Sequence, residues 1–123
     1  MTLIGVACAG LLGALARFCL SSYIGGRVHS AFPWGTFVIN ASGSLCLGVL
    51  AGIGAARGLI SPWWQTVLGT GFTGAYTTFS TWNLESLRLL RKGEGAMALI
   101  NVLLSTLAGL GAAGVGLLIG YRL

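Results

Sequence analysis

The sequence predicts an all-α membrane protein of four transmembrane helices, the third of them broken near its midpoint. Composition is the first reason: 55% of the 123 residues are hydrophobic and 7% are charged, with a mean hydropathy of +0.89, whereas soluble domains carry about 25% charged residues. Length is the second. A span takes roughly 20 apolar residues, so residues 1–123 hold one four-span domain, with spans at about 2–23, 34–56, 61–90 and 96–121. Glycine is the third: 21 glycines against 2 prolines, without a third-residue period, exclude collagen and Pro-rich disorder. They read as surfaces where helices touch.

Span 1 carries Gly5, Ala9 and Gly13 at every fourth position, the spacing that lets helix backbones approach closely in lipid. Arg17 continues that face. The apolar run precedes its arginine, the reverse of a cleaved signal peptide, so the first segment is expected to remain in the mature protein. A loop through Gly25, Gly26, Arg27 and His29 leads to Pro33 and span 2, where Asn40, Ser44, Gly48 and Gly52 form a second every-fourth row. Arg57 and Gly58 close it. Ser61-Pro62 then supplies an N-cap followed by proline at the first helical position. Within span 3, Gly69, Gly71, Gly74, Thr77 and Thr78 gather at mid-membrane. Glycine costs up to about 1 kcal/mol relative to alanine and paired threonines are stiff, which places a break between Gly74 and Thr78. A broken helix frees carbonyls and amides that must be buried or must bind something; a continuous helix with small residues at a tight crossing is the alternative. Arg88, Arg91 and Lys92 end span 3, and Gly93-Glu94-Gly95 turns into span 4, where Ala112, Gly116 and Gly120 repeat the small-residue row.

Charge excludes several functions. The net charge is +5, but the basic residues sit singly or at span ends, so there is no nucleic-acid footprint. Cys8, Cys19 and Cys46 lie in apolar stretches without CxxC spacing and read as small apolar residues. One histidine, no aspartate and no Cys/His cluster leave acid–base, nucleophilic and metal catalysis without their parts. The chain is not expected to be an enzyme. Four spans put both termini on one side. The side bearing Arg27, Arg88, Arg91 and Lys92 is favoured as cytoplasmic over that of Arg57 and Arg122, a bias small enough to permit insertion both ways.

The ionisable residues in or beside the spans are Arg17 and Glu85. Arg17 can snorkel to the headgroups, and Glu85 can pair with Arg88 one turn on. Yet Thr78, Thr81, Glu85 and Arg88 share one helical face, with Phe79 and Trp82 on the next. The aromatics are either packing or functional, since ring edges carry the positive end of the quadrupole and can face an anion while hydroxyls and amides donate to it.

These residues resemble the CrcB/Fluc family of fluoride channels over nearly the whole chain. The resemblance is carried by GLLGALARF at Gly10 to Phe18, PWGTFVIN at Pro33 to Asn40, GSLCLG at Gly43 to Gly48 and GFTGAYTTFSTW at Gly71 to Trp82. It implies an antiparallel, dual-topology homodimer in a prokaryotic inner membrane, with two fluoride pores and a structural sodium ion (Na+) at the dimer centre. By position it implies Asn40, Phe79, Trp82, Ser80, Thr81 and Glu85 along the fluoride path and Arg17 at a vestibule, where a basic residue raises the local anion concentration. The carbonyls of Gly74 and Thr77 would hold the sodium. The chain departs from the family pattern at Trp82, where phenylalanine is usual, and at Asn101, where span 4 often has tyrosine. The Trp82 indole N–H could donate to fluoride, or the ring could turn to lipid.

Dehydrating a small anion requires replacement donors, and Asn40, Ser80, Thr81 and Ser105 are suitable, each bond to a charged partner contributing roughly 1.5–3 kcal/mol. A proton-coupled multidrug exporter of four spans is the alternative; it needs a carboxylate well inside a span, and Glu85 lies near a span end.

Overall fold

A computed structural model describes the backbone of residues 1–123 and the side chains of all but Ala56 and Arg57, so the expectation for Arg57 lies outside the described side chains. Seven helical elements follow one another: α1 (Thr2–Arg27), α2 (Trp34–Arg57), α3 (Pro62–Gln65), a π-helical stretch (Thr66–Thr73) leading into α4 (Gly74–Tyr76), then α5 (Phe79–Arg91) and α6 (Gly95–Arg122). Three helices, Thr2–Arg27, Trp34–Ala55 and Gly95–Arg122, are long and apolar enough to cross a membrane.

Local chemistry sets most of the ends. Ser61 caps α3 by accepting from the Trp64 amide at 3.4 Å, and Gly58 closes α2 at φ +58°, a conformation that costs glycine no Cβ clash. Gly25 and Gly26, expected in a loop, belong instead to α1, whose last turn is closed by the Val28 amide on the Ile24 carbonyl at 2.8 Å. A Cβ at either glycine would meet only open space.

Small residues determine which helices meet. The most extensive contact joins α2 to α6. A Cβ on Gly48 would overlap the Ala113 carbonyl, one on Gly52 the Leu117 carbonyl, one on Gly116 the Leu45 carbonyl and one on Gly120 the Val49 carbonyl. Backbone therefore lies on backbone, and dispersion between close surfaces holds the pair where no hydrophobic force acts between helices. α1 packs in the same manner on the π-helical stretch, with Gly13 against the Phe72 carbonyl and Gly71 against Val6 and Ala9.

The interior is as polar as it is apolar. Ile39 and Asn101 are the largest side chains removed from solvent, and Thr36, Thr73, Thr78 and Ser86 are buried beside Val67, Leu89 and Ala98. Leucines of α1 and α6 point outward, as a lipid-facing surface requires.

The helical path between Pro62 and Arg91 stops at Tyr76 and resumes at Phe79. Thr77 (φ −74°, ψ 159°) and Thr78 (φ −147°, ψ 111°) are extended, the region β-branched residues favour. Gly74, where the break was expected to begin, stays helical at φ −62°, ψ −37°. Helix softness appears upstream in another form: the Gly74 amide reaches the Gly69 carbonyl and the Thr73 hydroxyl donates to the Leu68 carbonyl at 3.0 Å, both five residues back, the widened turn of a π-helix.

Candidate functional site

Extending Thr77 and Thr78 takes their neighbours' backbone groups out of the helical ladder, and side chains from two other helices answer them. Asn40 of α2 clamps Thr78 on both sides: its Nδ2 donates to the Thr78 carbonyl at 3.0 Å and its Oδ1 accepts from the Thr78 amide at 2.8 Å. Arg17 of α1 donates from Nη1 to the Thr77 carbonyl at 3.3 Å. Because the Thr78 amide is turned to Asn40, the Gly74 carbonyl loses the donor that a continuous helix would supply four residues on.

Thr78 then caps α5. Its hydroxyl oxygen accepts from the Thr81 amide at 3.2 Å and its proton goes to Thr81 Oγ1 at 2.9 Å, leaving the Thr81 hydroxyl proton for another acceptor. The Phe79 and Ser80 amides, at the first turn of α5, have no carbonyl of their own helix to reach. The start of α5 is thus a cluster of donors at a positive helix pole.

Two cavities flank the interruption. One, of about 270 Å³, is lined by Asn40, Gly43, Ser44, Leu47, Thr73, Gly74, Thr77, Thr78 and Phe79. The other, of about 400 Å³, is lined by Arg17, Ser21, Ser22, Thr36, Thr78, Ser80 and Thr81. Thr78 is common to both. The sequence-expected residues are therefore brought together in two sets, with Asn40, Phe79, Gly74 and Thr77 on one side and Arg17, Ser80 and Thr81 on the other.

Trp82, Ser105 and Glu85 lie beyond these cavities. The Trp82 ring sits 5.2 Å from Phe79, tilted by 45°, and its indole N–H donates to the Asn101 carbonyl at 3.4 Å. Ser105 donates to Asn101 Oδ1 at 3.1 Å. Glu85 Oε1 accepts the Thr36 hydroxyl at 2.8 Å, and its Oε2 is buried with no partner among the described residues. Phe79 itself is 71% exposed, a large ring left open at the cavity edge.

Thr36 and Ser86 were not singled out by sequence reasoning, and Thr78 was named only for its side chain on a polar helix face and for its place in the expected break. Thr36 had a readable signal, since it lies one turn before Asn40 on the same face of α2. The backbone amide and carbonyl of Thr78 had none, because their release from the helical ladder is a consequence of the extended conformation.

The model of the CrcB-like protein family, Camphor Resistance (CrcB), matches residues 4–117. A protein of Symbiobacterium thermophilum named Fluoride-specific ion channel FluC 1 is 50% identical over 120 residues, 97% of this chain and 95% of that one. A second from the same organism, Fluoride-specific ion channel FluC 2, is 42% identical over 118 residues, 96% of each chain. Fluoride-specific ion channel FluC of Acidobacterium capsulatum is 38% identical over 123 residues, 100% of this chain and 98% of that one.

Proposed function

The chain belongs to the CrcB-like family, and on that premise we propose that it is a fluoride channel, a multi-pass protein of a prokaryotic inner membrane that lets cytoplasmic fluoride leave passively. The observation that carries this reading is the donor cluster around the interruption: Asn40, Arg17, the open Thr81 hydroxyl and the first amides of α5 border two cavities that meet at Thr78. An anion stripped of water needs such donors, and charge-assisted bonds are about twice as strong as neutral ones. Arg17 draws anions to its cavity, and the Phe79 ring edge offers a weak positive surface that holds the ion without trapping it.

In this reading segment 62–91 crosses the membrane as a broken third span, and two copies associate antiparallel to form two pores. Open Phe79 and the cavity beside it favour a partner surface there. A sodium ion between the copies fits the donor set. The Gly74 carbonyl lacks its helical donor, the Thr77 carbonyl has a lone pair beyond the one given to Arg17, and neutral oxygens suit a hard cation. The ion would satisfy carbonyls that cost several kcal/mol each if left bare in lipid. This is ion conduction rather than catalysis.

The test uses proteoliposomes loaded with potassium fluoride and given valinomycin. Fluoride should leave rapidly, chloride should not, and no proton gradient should be required. Equal chloride release ends the selectivity claim. Release that depends on a proton gradient would favour the exporter reading, with Glu85 as its carboxylate.

A further inference from the structure

Asn101 is entirely buried and stands in a hydrogen-bond relay whose donors all run one way. Ser105 Oγ donates to Asn101 Oδ1 at 3.1 Å, Asn101 Nδ2 donates to Ser86 Oγ at 2.9 Å, and Ser86 Oγ donates to the Trp82 carbonyl at 2.9 Å. The Trp82 indole closes the ring on the Asn101 carbonyl. In this arrangement the Ser105 proton is committed inward, so Ser105 offers an approaching anion only its lone pairs.

Ser105 stands one turn before Gly109, whose Cβ position lies 3.6 Å from Ser44 Oγ, and Ser44 lines the cavity that holds Asn40 and Phe79. The relay therefore ends on the face of α6 that carries Gly109, one turn from the point where that helix meets Ser44.

An amide has a donor and an acceptor on opposite edges, so a half-turn of the Asn101 side chain reverses both ends. Nδ2 then donates to Ser105 Oγ, Ser86 donates to Oδ1, and the Ser105 proton is released outward. The Trp82 carbonyl is not orphaned, because it keeps the Ser86 amide of its own helix. The exchange loses one internal bond and creates one to the anion. Resting on the channel reading above, we propose that Asn101 is a positioning residue that sets the donor direction of Ser105, its amide turning over to present the Ser105 hydroxyl proton to fluoride.

Fluoride-electrode efflux from proteoliposomes tests this, with thermal unfolding followed in parallel. Ser105→Ala and Asn101→Leu should each slow efflux by about tenfold. In Asn101→Leu the serine proton falls back on the carbonyl four residues earlier, as Thr106 does on Val102 at 2.7 Å. The double variant should also lose about tenfold, because both act through one proton, whereas independent packing roles would multiply to about a hundredfold. Ser86→Ala removes two bonds from the resting arrangement, Nδ2 to Ser86 and Ser86 to the Trp82 carbonyl, but only the Ser86 bond to Oδ1 from the turned one. The balance therefore moves toward the turned amide, efflux should rise by about twofold or more, and the gain should vanish in the Ser105→Ala background. Multiplied losses, or no rise in Ser86→Ala, overturn the proposal while leaving the channel reading intact. A wild-type protein that releases no fluoride defeats both. If Asn101→Leu fails to fold, the Ser86→Ala and Ser105→Ala cycle alone decides.

Discussion

Along α2 and α6 the helices meet through side chains that are missing, whereas around Thr77 and Thr78 the chain is held by side chains that are present and polar. In the first region Gly48, Gly52, Gly116 and Gly120 let each helix rest on the other's carbonyls, and both helices keep their ladder through the contact. In the second, the helix gives up its ladder and Asn40 and Arg17 take over from it. Glycine packing makes a rigid wall without offering chemistry. The interruption leaves polar groups turned toward two cavities. Gly43 joins the two regions: it lies on α2 in the run toward Gly48, and a Cβ there would overlap the Thr77 methyl group.

The sharpest way to break this contrast is Asn40→Leu. It strands the Thr78 amide and carbonyl, and Thr78 is buried. At about 1–3 kcal/mol for each unsatisfied group, stability should fall by about 2–6 kcal/mol, and fluoride efflux by about a hundredfold or more. Unchanged unfolding and unchanged efflux would show that Asn40 is not the clamp.

Gly48→Ala probes the other region. Its new methyl group meets the Ala113 carbonyl, and overpacking of this kind costs about 1–3 kcal/mol. Thermal unfolding in detergent should register that loss, while efflux per folded protein stays within about twofold. A selective loss of efflux at full stability would mean the glycine wall takes part in conduction.

Phe79→Ile should do the reverse. The ring is largely exposed, so stability should hold, but isoleucine has no quadrupole and efflux should drop by about tenfold. The smallest effect is expected of Trp82→Phe, which keeps the ring beside Phe79 and loses only the 3.4 Å bond to the Asn101 carbonyl. Efflux should remain within about twofold. A large loss there would assign the indole N–H to the anion rather than to Asn101.

Much of this was legible in the sequence because it depends on neighbours along the chain. Hydrophobic stretches, the Ser61 cap, the Gly58 stop and the small-residue rows all follow from residue type at a fixed spacing. The softness of segment 62–91 was legible too, though its form was not. The glycines and paired threonines were together expected to break the helix between Gly74 and Thr78; Gly74 stays helical, the glycine-rich stretch before it widens into a π-helix, and the extended residues are Thr77 and Thr78. A glycine lowers the cost of leaving the helix without choosing the place, and the choice fell to Thr77 and Thr78, where replacement partners wait.

Those partners are what only the tertiary structure decided. Asn40 stands 38 positions before Thr78 and Arg17 60 before Thr77, so neither pairing leaves a trace in local spacing. The same holds for Asn101, which sequence reasoning reached only as the counterpart of a tyrosine and which the fold makes the buried centre of a relay joining Trp82, Ser86 and Ser105. Residue types determined by themselves that this chain is apolar, helical and poor in catalytic groups. Which carbonyl goes unpaired, and which amide answers it, depends on how separate helices are brought together, because a hydrogen bond is decided by position in space to within a few tenths of an ångström.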